Sequence, residues 1–274
     1  MIHVMVNGLP GNMAEQVARL VIADDQLKLV PWSLTGPEIE AATHTIDSTT
    51  VTLIHPEAKE DRIPGVLAEF GGMISVDFTH PTAVNENVDF YCNQALPFVM
   101  GTTGGDRQKL EESIRTSQIA AVVAPNMGKQ IVGFQAMMAY AADTFPGLFD
   151  GYDLSIRESH QKGKADTSGT AKAMVGYFNR LGVPFAEEDI AKERDPTVQK
   201  ETWGIPEDYL SGHGWHTYRL VSSDGTVCFE FTHNVNGREI YARGTLDAVH
   251  FLSRKVADGA KGKMYSMIDV LKGG

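Results

Sequence analysis

The first indication of the fold comes from residues 2–14, Ile2-His3-Val4-Met5-Val6-Asn7-Gly8-Leu9-Pro10-Gly11-Asn12-Met13-Ala14. A short apolar run is followed by a turn with two glycines, after which apolar residues recur at helical spacing through Ile22. A strand, a glycine turn and a helix in this order bring a phosphate close to free N–H groups at the helix start. The match to G-x-G-x-x-G is poor, because Pro10 and Ala14 replace two of the glycines, so an ordinary strand–helix turn stays equally compatible.

The alternation of strand-like and helical patterns continues to residue 126. The strand-like runs are 27–32, 50–54, 73–78, 97–100 and 119–124. The helical patterns between them are 57–70, 81–94 and 107–116. This alternation predicts a mostly parallel sheet that binds its ligand beyond the carboxyl ends of the strands. The candidates for dinucleotide contacts at those ends are Gly8, Gly11, Phe78, Thr79, Gly101, Thr103, Pro125 and Asn126.

The residues after the second strand bear on the choice of dinucleotide. In a dinucleotide fold this strand ends beside the adenine ribose, where Asp or Glu favours the free 2′-hydroxyl of NAD. The sequence there is Ser33-Leu34-Thr35-Gly36, without an acid, so Ser33 and Thr35 are candidate ribose contacts. The sequence therefore favours NADPH, with NADH also possible because no arginine lies nearby.

A different pattern begins at Met127. It comprises a long helix to about 145, a strand at 152–157, a helix from 168, a loop-rich segment at 183–212, and strands at 215–220, 226–234 and 239–241. Helical patterns at 245–257 and 264–271 then return to the first domain. We predict an α/β protein with a Rossmann-like dinucleotide-binding domain (1–126 and 241–274). The inserted α+β substrate-binding and oligomerisation domain (127–240) contains an open mixed sheet that a second subunit covers.

The most chemically distinctive stretch is Glu158-Ser159-His160-Gln161-Lys162-Gly163-Lys164-Ala165-Asp166-Thr167-Ser168-Gly169-Thr170-Ala171. His160 can exchange a proton near neutrality, and Lys164 adds a cation. Ser168 begins a helical pattern, and the free N–H groups of a helix start suit a carboxylate or phosphate. Each residue alone has an ordinary alternative as a helix cap, a solvated lysine or a packed histidine. Together they predict an anion pocket with a proton donor.

Composition excludes several other classes of protein. Of the 274 residues, 42% are hydrophobic and 22% charged, which is typical of a globular protein. A net charge of −11 argues against nucleic acid or an anionic membrane as the main partner. No apolar run approaches the roughly 18 residues of a membrane helix. Because a strand-like run begins at residue 2, we expect no leader, and a cytoplasmic protein or a mature organellar form. We predict no metal site, since His213, His216 and His233 lack an acid at ligand spacing.

Four motifs together carry a family resemblance. They are Glu158-x-His160-x-x-x-Lys164-x-Asp166-Thr167-Ser168-Gly169-Thr170-Ala171, Gly101-Thr102-Thr103-Gly104, Ala124-Pro125-Asn126 and Asp77-Phe78-Thr79. They resemble the motifs of the dihydrodipicolinate reductases (4-hydroxy-tetrahydrodipicolinate reductases) of lysine biosynthesis, and the likeness extends over essentially the whole chain. Gln161 in place of a second histidine, and Thr167 in place of Ala-Pro, resemble the plant-type branch. So do His233-Asn234 and Gly237-Arg238-x-x-Tyr241-Ala242.

The resemblance implies a homotetrameric reductase that uses NADPH or NADH to reduce a small cyclic imine with two carboxylates. His160 would be the proton donor and Lys164 the base or charge partner. The substrate would be bound by Gln161, Ser168, Gly169 and Thr170, and Arg238 lies where an arginine could reach a carboxylate. The pyrophosphate and adenosine side would be contacted by Gly8, Gly11, Asn12 and Met13, with Asn12 where the family usually has arginine. The nicotinamide would be contacted by Gly101, Thr103 and Asn126.

Two other functions are compatible with the fold alone. An aspartate-type or homoserine-type dehydrogenase should lack the His-x-x-x-Lys block followed by Ser-Gly-Thr. A dinucleotide-sensing protein without turnover would keep its function when His160 is replaced.

Overall fold

The computed structural model describes residues 1–164 and 166–273, and it divides into two compact units, residues 1–129 with 239–274 and residues 130–238. The strands are β1 (Ile2–Asn7), β2 (Leu27–Leu29), β3 (Trp32–Leu34), β4 (Thr43–Ile46), β5 (Thr49–Ile54), β6 (Ile74–Asp77), β7 (Phe98–Met100), β8 (Ala120–Val123), β9 (Tyr152–His160), β10 (Ala191–Glu193), β11 (His213–Ser222), β12 (Cys228–Asn236) and β13 (Lys263–Tyr265). The helices are α1 (Asn12–Ala23), α2 (Lys59–Glu69), α3 (Val84–Asn93), α4 (Arg107–Thr116), α5 (Lys129–Thr144), α6 (Gly169–Arg180), α7 (Pro196–Glu201), α8 (Glu239–Ala257) and α9 (Met267–Lys272).

The first unit is built on a parallel sheet with the strand order β13-β8-β7-β6-β1-β2. Every residue of β6, β7 and β8 is buried, as expected of parallel strands whose two faces are both covered. A smaller sheet, β3-β5-β4, lies in the same unit. Because the strands of the large sheet are parallel, the loops that follow β1, β6, β7 and β8 meet along one edge of it. The predicted Rossmann-like fold is confirmed.

The second unit contains a mixed sheet with the strand order β10-β9-β11-β12. β10 pairs with β9 in parallel, whereas β11 is antiparallel to both β9 and β12. Its core includes the fully buried side chains of Met174, Phe178 and Tyr218. The open mixed sheet predicted for this part of the chain is therefore confirmed.

The predicted strand at 239–241 was wrong, because these residues form the first turn of α8. Glu239 and Arg243 form an ion pair one helical turn apart, which favours the helix. Tyr241 packs against Gly128, so a β-favouring side chain is accommodated in a helix by tertiary contacts.

The helical pattern at 264–271 is also divided in the structure. Residues Lys263–Tyr265 pair with β8 as the edge strand β13, and α9 begins only at Met267. β4, which the sequence analysis did not predict, forms a hairpin with β5 through a turn in which Asp47 has a φ of 52°. Among residues 1–164 and 166–273, the helices are all too short or too polar to cross a membrane.

Candidate active site

The first unit has a cavity of about 850 Å³ beside the strand ends. It is lined by residues from four segments, within 8–11, 34–39, 54–59 and 78–87. Five of the predicted dinucleotide contacts line this cavity. Gly8 and Gly11 follow β1, Phe78 and Thr79 follow β6, and Thr35 follows β3. The size of the cavity suits a nucleotide moiety.

Two glycines shape the turn between β1 and α1. Gly8 has a φ of 103°, and a Cβ atom there would overlap the carbonyl group of Phe78. A Cβ on Gly11 would lie 2.8 Å from the Gly8 carbonyl oxygen. Gly11 precedes α1 without a side-chain cap, so the N–H groups of Asn12 and Met13 are left for a ligand. This backbone cradle at a helix start fits a pyrophosphate.

A buried carboxylate organises the loops after β6 and β7. Asp77 is fully buried and accepts hydrogen bonds from Tyr91 Oη at 2.7 Å, Thr79 Oγ1 at 2.8 Å and Thr102 Oγ1 at 2.7 Å. Asn87 Nδ2 donates to the same carboxylate at 3.1 Å. Burial and the neighbouring Asp77 carboxylate together raise the pKa of the Tyr91 phenol well above its usual value. These bonds fix the strand ends beside the cavity.

The loop after β7 also depends on a glycine. A Cβ on Gly101 would overlap the ring of Phe78, so the glycine lets this ring lie against the end of β7. Thr103 follows in the same loop. Pro125 and Asn126 follow β8, and Asn126 Oδ1 accepts the Gly128 N–H at 2.8 Å.

Ser33 differs in its surroundings from the other predicted contacts. Its side chain is fully buried, and its hydroxyl donates to the Leu34 carbonyl at 3.2 Å and accepts the Leu9 N–H at 3.4 Å. Leu34 and Thr35 line the cavity, whereas the fully buried Ser33 is not part of its lining. We therefore leave Ser33 out of the proposed cofactor site.

Three charged residues that the sequence analysis did not single out also line the cavity: Glu38, Lys59 and Glu86. Among the described residues that line it, Lys59 is the one Lys or Arg. The Lys59 ammonium lies 2.5 Å from Glu86 Oε1, and the two side chains are 10% and 72% exposed. Lys59 is the first residue of α2, where the helix dipole disfavours a cation. A lysine at a predicted helix start was therefore the one feature of the sequence that could have pointed to Lys59.

In the second unit, strand pairing brings His160 and His216 together. In the β9–β11 register Glu158 lies opposite His216, and His160 lies opposite Gly214. A Cβ on Gly214 would lie 3.1 Å from His160 Cε1, so the glycine makes room for the imidazole. The centroids of the His160 and His216 rings are 5.1 Å apart.

Hydrogen bonding defines the tautomer of His160. Its Nδ1 lies 3.1 Å from the His213 carbonyl oxygen, which can only accept, so Nδ1 carries the proton. Nε2 is buried without a hydrogen-bond partner among residues 1–164 and 166–273. Burial, with a further contribution from His216, lowers the pKa of His160 to about 4, although Glu158 acts in the opposite direction. In the empty pocket His160 is therefore neutral at pH 7, and its Nε2 lone pair is buried 3.8 Å from Glu158 Oε2.

Glu158 is a fully buried carboxylate between these histidines. It accepts the Ser168 N–H at 3.2 Å and Arg194 Nη2 at 2.5 Å, and it lies 3.5 Å from His216 Nε2. Burial alone would raise the pKa of Glu158. The hydrogen bonds from His216, Arg194 and Ser168 outweigh burial and hold this pKa well below its usual value.

The loop after β9 carries the other predicted substrate contacts. Gln161 and Lys164 lie in one turn, closed by the Lys164 N–H to the Gln161 carbonyl at 3.0 Å, and the Lys164 ammonium lies 2.9 Å from Asp166. The predicted helix start is confirmed, with Ser168 as the N-cap of α6, and the Ser168 hydroxyl accepts the Ala171 N–H at 3.1 Å. The remaining first-turn N–H groups, those of Gly169 and Thr170, lack intrahelical acceptors and suit a carboxylate.

Arg238 lies elsewhere in the second unit. Its Nη1 is 3.4 Å from where a Cβ on Gly212 would be, next to the start of β11. Its described contacts do not join it to His160 or Lys164.

Glu158, His160 and His216 form a cluster of side chains of the kinds that bind metals, and their ligand atoms lie within 4.8 Å of one another. The acid could not be found from spacing in the sequence, because Glu158 meets His216 through strand pairing. The Arg194 guanidinium already compensates this carboxylate. The expectation of no metal stays a prediction.

Two family models match the chain. The model described as dihydrodipicolinate reductase, N-terminus, matches residues 2–127, and the one described as dihydrodipicolinate reductase, C-terminus, matches residues 131–271. The chain is 46% identical over 271 residues to the probable 4-hydroxy-tetrahydrodipicolinate reductase 2, chloroplastic, of Oryza sativa subsp. japonica, covering 99% of this chain and 83% of the rice protein.

A bacterial relative and a solved structure agree with these matches. The 4-hydroxy-tetrahydrodipicolinate reductase of Anaeromyxobacter sp. (strain Fw109-5) is 31% identical over 286 residues, which cover 99% of this chain and 98% of that protein. The dipicolinate-bound dihydrodipicolinate reductase of Paenisporosarcina sp. TG-14 has a TM-score of 0.65 and 17% identity, over 97% of each chain, and supports the fold. The chain belongs to the dihydrodipicolinate reductase family.

Proposed function

We propose that His160 and Lys164 carry out substrate protonation and binding in an NADPH-dependent reduction. The chain is an NAD(P)H-dependent oxidoreductase that converts the cyclic imine derived from 4-hydroxy-tetrahydrodipicolinate into tetrahydrodipicolinate, in lysine and diaminopimelate biosynthesis. The observation that carries the residue assignment is the buried Nε2 of His160, which has no hydrogen-bond partner among the residues that the structure describes and lies at the end of β9 beside the loop of Lys164.

The substrate carries two carboxylates, and the second unit offers matching groups. The Lys164 ammonium and the N–H groups of Gly169 and Thr170 would hold one carboxylate. Ser168 and Gln161 would add hydrogen bonds. Arg238 stays a candidate for the other carboxylate, because an arginine can bind it through two parallel bonds.

The first unit would hold the dinucleotide. Gly8 and Gly11, with the N–H groups of Asn12 and Met13, would contact the pyrophosphate. Thr35 and the Phe78-Thr79 loop would border the adenosine side. The strand-end residues Gly101, Thr103, Pro125 and Asn126 would border the nicotinamide.

A preference for NADPH over NADH is supported by Lys59. A 2′-phosphate needs a cation close to it, and Lys59 is a little-exposed cation on the cavity wall. Glu38 and Glu86 bring negative charge to the same wall, but both side chains are exposed and can turn to water. Their rotation would leave the Lys59 ammonium to the phosphate.

His160 would provide the proton that the reduced ring needs. A dinucleotide held by the strand-end residues would supply a hydride to the conjugated double bonds of the ring, and the ring nitrogen would then need a proton. His160 is neutral when the pocket is empty, so it must first take up a proton. A bound dianion would favour this uptake, since nearby negative charge raises the pKa of an imidazole. Because Nδ1 is bonded to the His213 carbonyl, Nε2 is the atom that would take up and give this proton.

We extend the proposal to the cellular location of the chain and to its assembly with other subunits. The rice relative is named as chloroplastic, and for this chain we keep the cytoplasm or an organellar stroma as a prediction. We also propose a homotetramer in which an open face of the second unit's sheet contacts another subunit.

The test of the catalytic assignment is His160→Gln. We expect turnover to fall at least ~100-fold, the usual scale for a general acid, with dinucleotide affinity nearly unchanged. The assay follows loss of 340 nm absorbance when the enzyme is coupled to fresh synthase product, and pyridine-2,6-dicarboxylate serves as a competitor. An unaltered rate would remove His160 from the mechanism.

A further inference from the structure

Arg194 lies directly after β10, the edge strand that pairs with the catalytic strand β9. In this parallel pairing Lys192 lies beside Glu158, and Glu193 lies beside Ser159. The Arg194 side chain is 18% exposed, so its charge is largely withdrawn from water. A cation in this position needs several acceptors to balance the loss of hydration.

The guanidinium finds those acceptors in the loop that follows β9. Nε donates to the Lys164 carbonyl at 2.7 Å, and Nη1 donates to the Glu193 carbonyl at 2.9 Å. Nη2 donates to Glu158 Oε1 at 2.5 Å and makes a longer bond to the Asp166 carbonyl at 3.4 Å. Arg194 thus contacts the backbone on both sides of residue 165 and the buried carboxylate at the end of β9.

The second oxygen of Glu158 extends this connection to α6. Oε2 accepts the N–H of Ser168, the residue that caps α6. Arg194 and Glu158 therefore link the two groups that bind anions in the proposed pocket, the Lys164 turn and the start of α6. A lysine could not replace this arginine, because an ammonium lacks the planar arrangement of donors that reaches several acceptors at once.

We propose that Arg194 is a positioning residue for the dicarboxylate pocket. It holds the Lys164 turn and, through Glu158, the α6 start in the arrangement that receives the substrate carboxylates. The inference rests on the proposed function, because it takes the dicarboxylate as the ligand. The alternative is that the Arg194–Glu158 pair has only a structural role. Removal of one partner of a buried ion pair destabilises a fold, because the other charge is left buried without compensation.

The test compares Arg194→Met, Arg194→Lys and Arg194→Ala with Val175→Ala. Val175 is a buried residue of α6 outside the pocket, so Val175→Ala supplies a loss of stability without a change in pocket contacts. The measurements are Tm, the Kd for pyridine-2,6-dicarboxylate by calorimetry, the Kd for NADPH by fluorescence, and KM and kcat for the imine.

We expect Arg194→Met to raise the dicarboxylate Kd and the substrate KM at least ~10-fold, since charge-assisted hydrogen bonds that hold the pocket are lost. The NADPH Kd should stay within about twofold, because the dinucleotide contacts are left intact. Arg194→Lys should keep most of the Tm but not the affinity. Methylguanidinium added to Arg194→Ala should restore part of the affinity.

Two outcomes would contradict these expectations in different ways. If wild type binds the dicarboxylate and reduces the imine while Arg194→Lys matches Val175→Ala in Kd and KM, the positioning role is overturned and the pair is structural. If wild type does neither, the proposed function fails, and the ligand assigned to this pocket fails with it. Should Arg194→Met not fold, Arg194→Lys and Glu158→Gln decide the question.

Discussion

The surroundings of His160 shift its pKa in opposite directions. Burial and His216 lower its pKa to about 4, whereas the Glu158 carboxylate, 3.8 Å from Nε2, raises it. At pH 7 the empty pocket therefore contains a neutral imidazole. A substrate with two negative charges adds a second raising effect, and the pKa in the complex moves toward neutrality.

This difference predicts that binding of the dicarboxylate is accompanied by proton uptake. Because the pKa is higher in the complex than in the free protein, uptake occurs between these two values and approaches about one proton per site. Calorimetry with pyridine-2,6-dicarboxylate in buffers of different ionisation enthalpy measures it directly. Uptake should decline as the pH rises above the pKa of the complex, and His160→Gln should abolish it. Binding by wild type without uptake at any pH from about 5 to about 8, roughly 1.5 units on each side of the usual histidine pKa, would contradict the mechanism.

Lys59 gives a second prediction at the scale of a single side chain. Lys59→Met should raise the Kd for NADPH at least ~10-fold and leave that for NADH within about twofold, because only NADPH carries the 2′-phosphate. Glu86→Gln should tighten NADPH, since it removes the competing carboxylate at 2.5 Å. Titration with 2′,5′-ADP and with ADP separates the phosphate contact from turnover.

The matched control for Lys59 is Lys109→Met. Lys109 is an exposed lysine of α4, also paired with an acid, and it lies outside the cavity lining. Equal loss of NADPH and NADH affinity in Lys59→Met would show a general structural effect and remove the support for NADPH preference.

Individual site residues were predictable from sequence where the signal is local. The start of α6 at Ser168 follows from the residues around it. Lys59, Arg194 and His216 were missed because each gains its role from a partner far away in the chain. Lys59 meets Glu86, Arg194 meets Glu158 and Lys164, and His216 meets Glu158 only after the strands and helices have packed.

At the scale of elements, the strand–turn–helix succession was predictable because buried parallel strands are short apolar runs separated by amphipathic helices. The elements that differed are polar or short. β4 has the burial of an edge strand, with two of its four residues exposed, and β13 has only three residues. Their pairing is decided by β5 and β8, so nothing in their own sequence distinguishes them from loops or helix starts.

The elements also explain why the pocket residues could be predicted from sequence, whereas the residues that hold them in place could not. The β9–α6 segment is continuous in sequence, so the spacing of His160, Lys164 and Ser168 was visible. The supports come from β10 and β11, and the β9–β11 register that sets Glu158 against His216 is fixed by tertiary packing.

At the scale of the whole molecule, the sheet of the second unit has two unlike faces. One face contributes Ile156, Tyr218 and Leu220 to the buried core. The other face carries polar side chains that line a groove of about 330 Å³: Ser155, Arg157, Thr217, Arg219 and Glu230. This unit also exposes large apolar side chains on and after α5: Met137, Tyr140, Phe145 and Leu148. Either surface could receive another subunit.

The proposed homotetramer should therefore have a mass of four times 29.9 kDa, about 120 kDa, in light scattering. If the polar sheet face forms the contact, Arg219→Asp should lower the mass, because it places two acids at the cross-strand pair of Arg219 and Glu230. Met137→Glu, on the exposed side of α5, is the matched comparison. Dissociation by Met137→Glu alone would assign the contact to the helix, and a wild-type mass near 30 kDa would remove the tetramer.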